Sequence, residues 1–348
     1  MIVQEIHKNI EVDQGLNLDI ISTLPLNIIE NILTLMPIKD AWRTSILSRE
    51  WRYCWTTMPR LVFDKSSYFR KLDVYKLVNA ILHVLLLHKG PIEELNIDLG
   101  HHEIVSEIDQ IILHLSRINN VKRLIFNLDD HYYYKLPQAF FSLQELEYLH
   151  LSNCYFEPPV TFHGFSGLKT LRFFNVRINP QILKQLLSNC PLLDELCLSA
   201  YEKDLRKEKT FTFVELLSCV PLIETLQISE DYMKYLATGS IPKKLPTSLV
   251  NLKYLFLDVC LMEQDEIYSA FCIIRSSPNL EQITFEMRDN ENLPVPKTSM
   301  YLLDLQDDLS LNLDHLKIFD IENFSNFAIE IKLVELFMAK SPMLRMYG

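Results

Sequence analysis

Glycine is scarce in this sequence, with 7 residues among 348. So few glycines argue against glycine-rich phosphate-binding loops and against a fold built on tight two-residue hairpins, because both use backbone conformations that glycine adopts most easily. Long apolar runs are also missing. The longest, over residues 78–87, is interrupted by His83 and is too short to cross a bilayer. We therefore expect neither a phosphate-loop nucleotide fold nor a membrane-spanning protein.

The motifs that would carry chemistry are missing as well. There is no G-x-S-x-G nucleophile elbow, no P-loop and no H-E-x-x-H pair of zinc ligands. His101 and His102 precede Glu103 without that spacing, so an exposed turn is the favoured interpretation. The 7 cysteines include no C-x-x-C pair and predict small core residues of a reduced, intracellular protein. The sequence thus predicts a protein that is not an enzyme and that needs no metal and no cofactor.

The charge of the chain restricts its partners and its location. The formal net charge is −11, and an acidic surface repels a phosphate backbone, so nucleic acid is not an expected partner. Residues 1–19 carry Glu5, Glu11 and Asp13 and lack the apolar core of a secretory signal. We expect a location in the nucleus or the cytoplasm.

A short apolar pattern recurs along most of the chain. It consists of an apolar residue, two mostly polar residues, an apolar residue, one variable residue and a last apolar residue, as in Leu146-Glu-Tyr-Leu149-His-Leu151. The central apolar positions are Leu95, Leu124, Leu149, Leu171, Leu196, Leu226, Leu255 and Ile283. They recur every 22 to 30 residues, and a degenerate copy at Phe319 follows after 36. This is the pattern of leucine-rich repeats, at a long and irregular period.

The spacing within and between these motifs predicts a repeated strand and helix. The alternation of apolar, variable and apolar residues is that of a short strand with one buried face. Amphipathic helices are predicted over residues 103–119, 179–190 and 264–276. A single unit cannot bury its apolar face, so the units must stack. We expect an α/β fold in which an arc-shaped solenoid carries short parallel strands on its concave face and helices outside.

Residues 19–64 differ from the repeats. Thr23 can cap a helix that has Pro25 in its first turn, Pro37 ends that helix, and Asp40 can cap a second one. This stretch holds all three tryptophans of the chain: Trp42, Trp51 and Trp55. Three short helices cannot easily bury three indoles, so part of this apolar surface is expected to bind a partner. The alternative is that the indoles pack against the first repeat.

The same stretch resembles a plant F-box. From Leu24 the chain reads L-P-x-x-I-I-x-x-I-L, and a second run, K-D-A-x-R-T-S-I-L-S-x-x-W-R-x-x-W, ends at Trp55. Together with the repeats and with residues 330–347, the chain is similar to plant F-box proteins that carry leucine-rich repeats and an FBD-type C-terminal region. Trp42 departs from the pattern, which usually has a smaller aliphatic residue there, and Glu50 stands at a commonly basic position.

The resemblance implies the function of a substrate-recognition subunit in an SCF-type E3 ubiquitin ligase, within the pathway of ubiquitin-like conjugation. In such a protein the F-box docks on a Skp1-like adaptor, which links it to a cullin, and the repeats bind the target protein. By motif position the predicted Skp1-binding residues are Leu24, Pro25, Ile28, Ile29, Ile32, Leu33, Leu47, Trp51 and Trp55. This set must be shared between the adaptor and the core of the module itself.

The protein substrate is expected on the concave face of the repeats. The variable residue between the two apolar residues of each strand points away from the core. The predicted substrate-binding residues are therefore Asn96, Ile125, His150, Arg172, Gln227, Phe256 and Thr284, and Cys197 holds the equivalent position. These side chains share no charge and form no aromatic cage, so they specify no particular substrate.

Two alternative functions fit the same sequence. An F-box protein can bind its adaptor without recruiting a cullin and so act as a binding module outside the ligase. The other alternative is a small-molecule sensor of the plant hormone-receptor type. Those receptors have many more repeats in a closed horseshoe, whereas the irregular repeats of this chain predict a shorter arc.

The chain is expected to divide into four segments. Residues 1–18 are predicted to be flexible, residues 19–64 form the F-box, and residues 65–289 form the leucine-rich-repeat solenoid. Residues 290–348 hold degenerate terminal repeats and the FBD-like C-terminal region, with Pro294 and Pro296 in a loop.

Overall fold

A parallel sheet of ten strands runs through most of the molecule. The structure is a computed structural model that describes residues 20–21, 23–36, 38–63, 74–100, 105–128, 133–200, 212–229, 232–234, 241–288, 311 and 313–344. Each strand of this sheet pairs with the next long strand along the chain. The predicted α/β architecture, a helical N-terminal module followed by a solenoid of parallel strands, is confirmed.

The elements alternate along the chain as the repeat predicts. The strands are β1 (Arg60–Phe63), β2 (Glu94–Gly100), β3 (Arg123–Leu128), β4 (Tyr134–Lys135), β5 (Tyr148–Ser152), β6 (Cys154–Phe156), β7 (Thr170–Phe174), β8 (Arg177–Ile178), β9 (Glu195–Ser199), β10 (Thr225–Ile228), β11 (Tyr254–Val259), β12 (Gln282–Met287) and β13 (Ile318–Glu322). The α-helices are α1 (Leu26–Thr34), α2 (Ile38–Arg43), α3 (Val74–Leu87), α4 (Val105–Ile118), α5 (Pro180–Ser188), α6 (Phe213–Ser218), α7 (Gln264–Arg275) and α8 (Ala328–Lys340). The 3₁₀ helices are Thr44–Ile46, Trp51–Thr57 and Gln138–Ser142.

The register of the sheet follows the phase of the sequence motif. The central leucines lie opposite one another, with Leu95 beside Leu124, then Leu149 and Leu171. All of them are buried, and the residues that follow them keep part of their surface accessible, with the exception of the buried Cys197. Since a shift of one residue would turn the apolar set out of the core, the buried face keeps the strands in this register.

The helices lie on the other side of the strands, and three of them were predicted. The predicted segments 103–119, 179–190 and 264–276 correspond to α4, α5 and α7. The side chain of Asn179 caps α5 by accepting from the backbone N–H of Gln181. The stretch between β5 and β7 is fully described and contains no helix. Buried phenylalanines fill that space instead, and Phe141, Phe156 and Phe162 make edge-to-face contacts.

A second sheet of three short strands, in the order β4-β6-β8, lies just beyond the ends of the long strands. Two asparagines in the left-handed backbone region, Asn153 and Asn175, redirect the chain from β5 and β7 into this sheet. The Nδ2 of Asn175 donates to Oδ1 of Asn153 at 2.7 Å, and the Nδ2 of Asn153 donates to the carbonyl of Leu128 at 2.7 Å. This asparagine ladder fixes the second sheet relative to the first.

Strand β1 joins the N-terminal module to the solenoid. It lies at the end of the predicted F-box segment, residues 19–64. It pairs in parallel with β2, with Leu61 opposite Leu95. Leu61 and Phe63 are buried. The helical module therefore continues directly into the first strand of the large sheet.

The C-terminal end of the solenoid is a regular unit of strand and helix. Strand β13 pairs with β12, and Phe319 of the degenerate motif copy lies opposite Ile283. Helix α8 buries Leu333, Leu336 and Phe337 behind this strand. The degenerate motif copy at Phe319 thus adds one more strand to the large sheet, as the earlier copies do.

Some predicted features fall outside the part of the chain that the structure describes: the flexible residues 1–18, the turn at His101 and His102, and the proline-containing loop at residues 290–298. Within the described residues, no helix has the length and apolar character needed to cross a membrane. Among the same residues, no group of three or more histidine, cysteine, aspartate or glutamate side chains could hold a metal ion.

One buried carboxyl group ties the last repeats together. Glu266, in the first turn of α7, accepts from the backbone N–H of Cys260 at 2.9 Å and from Nη2 of Arg288 at 2.5 Å. Arg288 also donates to Asp258 from its Nε. Burial raises the pKa of Glu266 to about 7, and the nearby Arg288 only partly offsets that rise.

This carboxyl group predicts a stability that falls as the pH rises. The pKa of Glu266 is higher in the folded chain than its ordinary value of 4.5, so the folded state holds the proton more tightly. The resulting stability is fully present below about pH 4.5 and is lost as the pH rises through about 7. We expect Glu266→Gln, which stays neutral, to gain free energy of unfolding relative to the wild type between pH 5 and pH 8, by at most about 1.4 kcal/mol per pH unit. Urea unfolding at several pH values measures this difference.

Asp265→Asn is the matched control, because Asp265 is an exposed carboxylate in the first turn of the same helix. The difference in free energy of unfolding between this control variant and the wild type should not grow with pH in the way that we expect for Glu266→Gln. If Glu266→Gln differs from the wild type by the same amount at pH 5 and at pH 8, the buried proton does not contribute as described.

Candidate binding surfaces

The N-terminal module has a core made of side chains from its short helices. Ile29 and Leu33 of α1 and Trp51 and Trp55 of the second 3₁₀ helix are all buried. The Nε1 of Trp51 also donates to the carbonyl of Ile21 at 2.8 Å. These four residues were among the predicted Skp1-binding residues, a set expected to be shared with the core of the module, and the structure places these four in that core. Their part in adaptor binding stays a prediction. Their side chains hold the helices together and offer almost no surface to an adaptor.

The other five predicted Skp1-binding residues keep some accessible surface. Pro25, Ile28 and Leu47 are exposed, and Leu24 and Ile32 are half-buried. Their role in adaptor binding stays a prediction. The structure thus separates the nine motif residues into buried and accessible ones. The motif positions alone do not make this separation.

Several exposed apolar residues of the module were not among the predicted contacts. Leu35 extends the stripe that Ile28 and Ile32 form along α1, since residues three and four apart share a helix face. Trp42 is 59% exposed and Ile46 is 87% exposed, next to the exposed Leu47. We call six residues the exposed apolar set: the half-buried Ile32 and the exposed Ile28, Leu35, Trp42, Ile46 and Leu47. Soluble proteins seldom expose so much apolar surface in so short a segment unless a partner covers it.

The sequence contains a signal for two of these surface residues, Trp42 and Ile46, which are not among the predicted adaptor contacts. Trp42 departs from the family pattern by being larger, and Ile46 follows it by four residues. In one continuous helix that spacing would place both on the same side, and in the structure Trp42 lies on α2 and Ile46 on the 3₁₀ helix that follows it. The other face of α2, a short helix, already supplies buried residues. A module of this size has too little core volume to bury an additional indole.

The predicted substrate residues form a single row across the concave face. Asn96 lies opposite Ile125, which is followed in register by His150 and Arg172. On the other half of the sheet, Gln227, Phe256 and Thr284 lie side by side. All seven are half-buried. Cys197 connects the two halves, but it is buried and contributes no surface.

Comparisons with known proteins cover most of the chain. Residues 21–63 match the F-box domain family, and residues 110–209 match the family of LRR repeats in the FBD-associated F-box protein At5g56370. The F-box/FBD/LRR-repeat protein At1g13570 of Arabidopsis thaliana is 32% identical over 94% of this chain and 89% of its own length. The chain belongs to the F-box/FBD/LRR-repeat family.

Other Arabidopsis thaliana members of this family are more distant. The FBD-associated F-box protein At5g56370 is 29% identical over 78% of this chain and 59% of its own length. The F-box/LRR-repeat protein At3g26922 is 27% identical over 78% of this chain and 83% of its own length. The plant F-box resemblance and the leucine-rich repeats read from the motifs are thus confirmed. The relatives' names state no substrate.

The first half of the concave row in this F-box/FBD/LRR-repeat protein is aromatic and electrically balanced. The imidazole of His150 stacks on the ring of Phe174, with centroids 4.9 Å apart. Arg172 donates from Nε to Oε1 of Glu195 at 2.6 Å, and the guanidinium of Arg123 lies 3.4 Å from the centroid of Tyr148. Burial, followed by the nearby arginines, lowers the pKa of His150 to about 4. His150 is therefore neutral at physiological pH.

The end of the concave face nearest the C-terminus is acidic. Asp258, Glu286 and Glu322 lie in register on neighbouring strands, one position beyond the next buried residue. Burial, together with the charges of Asp258 and Glu322, raises the pKa of Glu286. The accessible carboxylates at this end are those of Glu286 and Glu322, because Asp258 is buried and forms an ion pair with Arg288. The seven predicted substrate residues did not indicate this difference in charge between the two ends, because none of these carboxylates is among them.

Proposed function

We propose that this chain is the substrate-recognition adaptor of an SCF-type E3 ubiquitin ligase. Its F-box would bind a Skp1-like adaptor, linked in turn to a cullin, and its repeats would bind a target protein. The observation that supports this best is the exposed apolar set, which lies in the segment that matches the F-box family. The role needs no catalytic group in this chain. Holding a substrate lysine near a charged conjugating enzyme raises its effective concentration.

The apolar set supplies enough surface for a specific contact. Burying one exposed leucine or isoleucine side chain contributes about 1.5–3 kcal/mol. Trp42 adds an indole, and tryptophan is enriched among the residues that dominate binding energies. Four of these side chains project from α1, α2 and the first 3₁₀ helix, while Leu35 and Leu47 directly follow α1 and the first 3₁₀ helix. The buried residues Ile29, Leu33 and Trp51 fix those elements from behind.

Ile46→Asp is expected to weaken binding of a purified Skp1-like protein at least about tenfold. The substitution puts a charge into a contact that would be desolvated on binding. Since Ile46 is 87% exposed, the thermal unfolding midpoint should stay close to that of the wild type. Biolayer interferometry with the full chain measures the affinity, and circular dichroism measures the midpoint.

Val160→Asp is the matched control, because Val160 is a fully exposed apolar residue in the solenoid, between β6 and β7. It should bind the adaptor as the wild type does. Equal binding by Ile46→Asp, Leu47→Asp and the wild type would show that another surface docks. A wild-type chain that binds no Skp1-like protein would refute the adaptor role. Adaptor binding without co-purification of a cullin would instead support a binding module outside the ligase.

The concave row is the surface that we propose for the target protein. Phe256 and Ile125 offer apolar contacts, while Asn96, Gln227 and Thr284 offer hydrogen bonds. The balanced charges beside His150 and the carboxylates near Thr284 favour an extended target segment that is apolar at one end and basic at the other. This row lies on the sheet, away from the exposed apolar set, so both contacts can form together.

A further inference from the structure

Two arginines and one carboxylate lie at the end of the concave face nearest the F-box. Arg60 of β1, Glu94 of β2 and Arg123 of β3 are neighbours in register, and each begins its strand. Asn96 and Ile125 of the predicted substrate row follow two positions later on β2 and β3, and side chains two positions apart in a strand point to the same side. The three charged residues therefore adjoin that row. We call Arg60 and Arg123 the arginine pair.

The carboxylate of Glu94 serves both arginines but neutralises only one of their charges. Nε of Arg60 donates to Oε1 of Glu94 at 3.1 Å, and Nε of Arg123 lies 3.7 Å from the same oxygen. The second distance is too long for a hydrogen bond. A guanidinium carries several N–H donors in a fork, and within the described residues only Nε of Arg60 among them is hydrogen-bonded. The side chains of Arg60 and Arg123 are 55% and 40% exposed, so their donors are open to a ligand.

The surrounding charges do not remove this excess. Lys122 and Glu93, which directly precede Arg123 and Glu94, form an ion pair of their own at 3.5 Å. Asp98 lies further along β2 on the same side, roughly 13 Å from Glu94 at about 3.3 Å per residue. That separation exceeds the Debye length of about 8 Å at physiological ionic strength. The arginine pair thus carries one positive charge more than the neighbouring carboxylates balance.

Arg123 is held in place before any ligand binds. Its guanidinium carbon lies 3.4 Å from the ring centroid of Tyr148, the next residue in register on β5. A stacked guanidinium keeps its fork of donors pointing sideways from the ring and loses less freedom when it binds. Its charge also acts on His150, whose pKa is lowered first by burial and then by Arg172 and Arg123. The structure therefore fixes a positive charge at this end of the concave face.

The chemistry that fits the arginine pair is a carboxylate beside an apolar group. A planar carboxylate matches the donor fork of a guanidinium and supplies the missing negative charge. Val62 and Ile125 lie beside the pair, in register on either side of Asn96, and both are half-buried. An apolar residue next to the carboxylate would cover their accessible surface.

We propose that the arginine pair binds an aspartate or glutamate side chain of the target protein, next to an apolar residue that contacts Val62 and Ile125. This inference rests on the proposed role of the concave row as the surface for the target, and it adds an acidic residue to the segment that the row would bind. It also gives that segment a direction. Its acidic end would lie toward the F-box, and its basic end would lie at Glu286 and Glu322.

The test uses the full chain with methyl-labelled isoleucines, observed by NMR. The probe is the peptide Glu-Glu-Glu-Leu-Phe-Leu, acetylated and amidated, in this order and in the reverse order, and the reference peptides carry glutamine in place of glutamate. We expect a glutamate peptide to shift the methyl signal of Ile125 and to leave that of the remote Ile267 unchanged. It should bind at least about threefold more tightly than its glutamine counterpart at low salt. This difference should shrink in about 0.5 M sodium chloride.

Three variants test the assignment in opposite directions. Arg60→Gln and Arg123→Gln should each lower the affinity for the glutamate peptide toward that for the glutamine peptide. Glu94→Gln removes the competing carboxylate without changing the shape of the side chain, and it should raise the affinity for the glutamate peptide at least about twofold. A purely structural role of these residues would not produce that gain. Arg117→Gln is the control, because it removes an exposed arginine from α4, outside the concave face.

The proposal is overturned if the glutamate and glutamine peptides bind equally, or if neither order of the glutamate peptide shifts Ile125 at about 5 mM. It is also overturned if Glu94→Gln leaves the affinity unchanged. Binding of the Skp1-like protein is measured on the same samples. A chain that binds the adaptor but does not distinguish the peptides refutes this inference alone. A chain that prefers the glutamate peptide but binds no Skp1-like protein refutes the adaptor role alone.

Discussion

Replacement of Trp51 by alanine is expected to lower the free energy of unfolding of the F-box by about 3–5 kcal/mol. The indole is 3% exposed and packs in the same core as Ile29 and Leu33. Its removal leaves a cavity between α1 and the 3₁₀ helix, and it deprives the carbonyl of Ile21 of its donor. Thermal unfolding and hydrogen exchange over residues 23–58 measure the effect.

Trp42→Ala is the matched comparison, because it removes the same side chain from a position that is 59% exposed. We expect it to change the free energy of unfolding by less than about 0.5 kcal/mol and yet to weaken binding of the Skp1-like protein. If both variants destabilise the chain equally, the two indoles are not divided between core and surface. If Trp51→Ala folds as stably as the wild type, the 3₁₀ helix does not hold the module together.

The sequence could not make this division because α1 is apolar on two neighbouring faces. Ile29 and Leu33 form one stripe and Ile28 and Ile32 form the next, both at a spacing of four residues. A helical wheel ranks the two stripes equally. The decision comes from tertiary packing, since Trp51 and Trp55 approach from the 3₁₀ helix and cover one stripe.

The solenoid was predictable for the opposite reason. Each motif copy alternates apolar, variable and apolar residues, and only one register buries every copy at once. The concave row from Asn96 to Thr284 therefore lies as the motif predicts. The second sheet was not predicted, because β4 and β8 hold two residues each and carry no periodic pattern. Their only local signal is an asparagine just after the long strand, as at Asn153 and Asn175.

Charge on the concave face shows a second limit of motif reasoning. The residues predicted from the variable positions have no dominant charge. Asp258, Glu286 and Glu322 lie side by side only because their strands are in register. Their positions in the chain are far apart, and their shared register appears once β11, β12 and β13 are aligned. Specificity on a parallel sheet therefore depends on residues that are neighbours across strands rather than along the chain.

Phe337→Ala is expected to release the last unit of the solenoid. Phe337 is buried and stacks on Phe319 with centroids 4.2 Å apart and an interplanar angle of 4°. It also meets Phe285 edge to face at 5.8 Å. Truncation removes these contacts at a cost of about 3–5 kcal/mol. Because β13 pairs only with β12 among the described strands, β13 and α8 should open before the rest of the sheet. Hydrogen exchange over residues 318–340 measures this opening.

Phe324→Ala provides the control, since Phe324 follows β13 in the same unit but its ring is exposed. It should leave the exchange over residues 318–340 close to that of the wild type. An equal rise in exchange over residues 123–151 in Phe337→Ala would mean that the solenoid unfolds as one cooperative body, and the terminal unit would then have no separate stability. A rise confined to residues 318–340 would instead mean that the phenylalanine cluster is what closes the open end of the sheet. The degenerate motif copy would then serve as the cap that a solenoid requires.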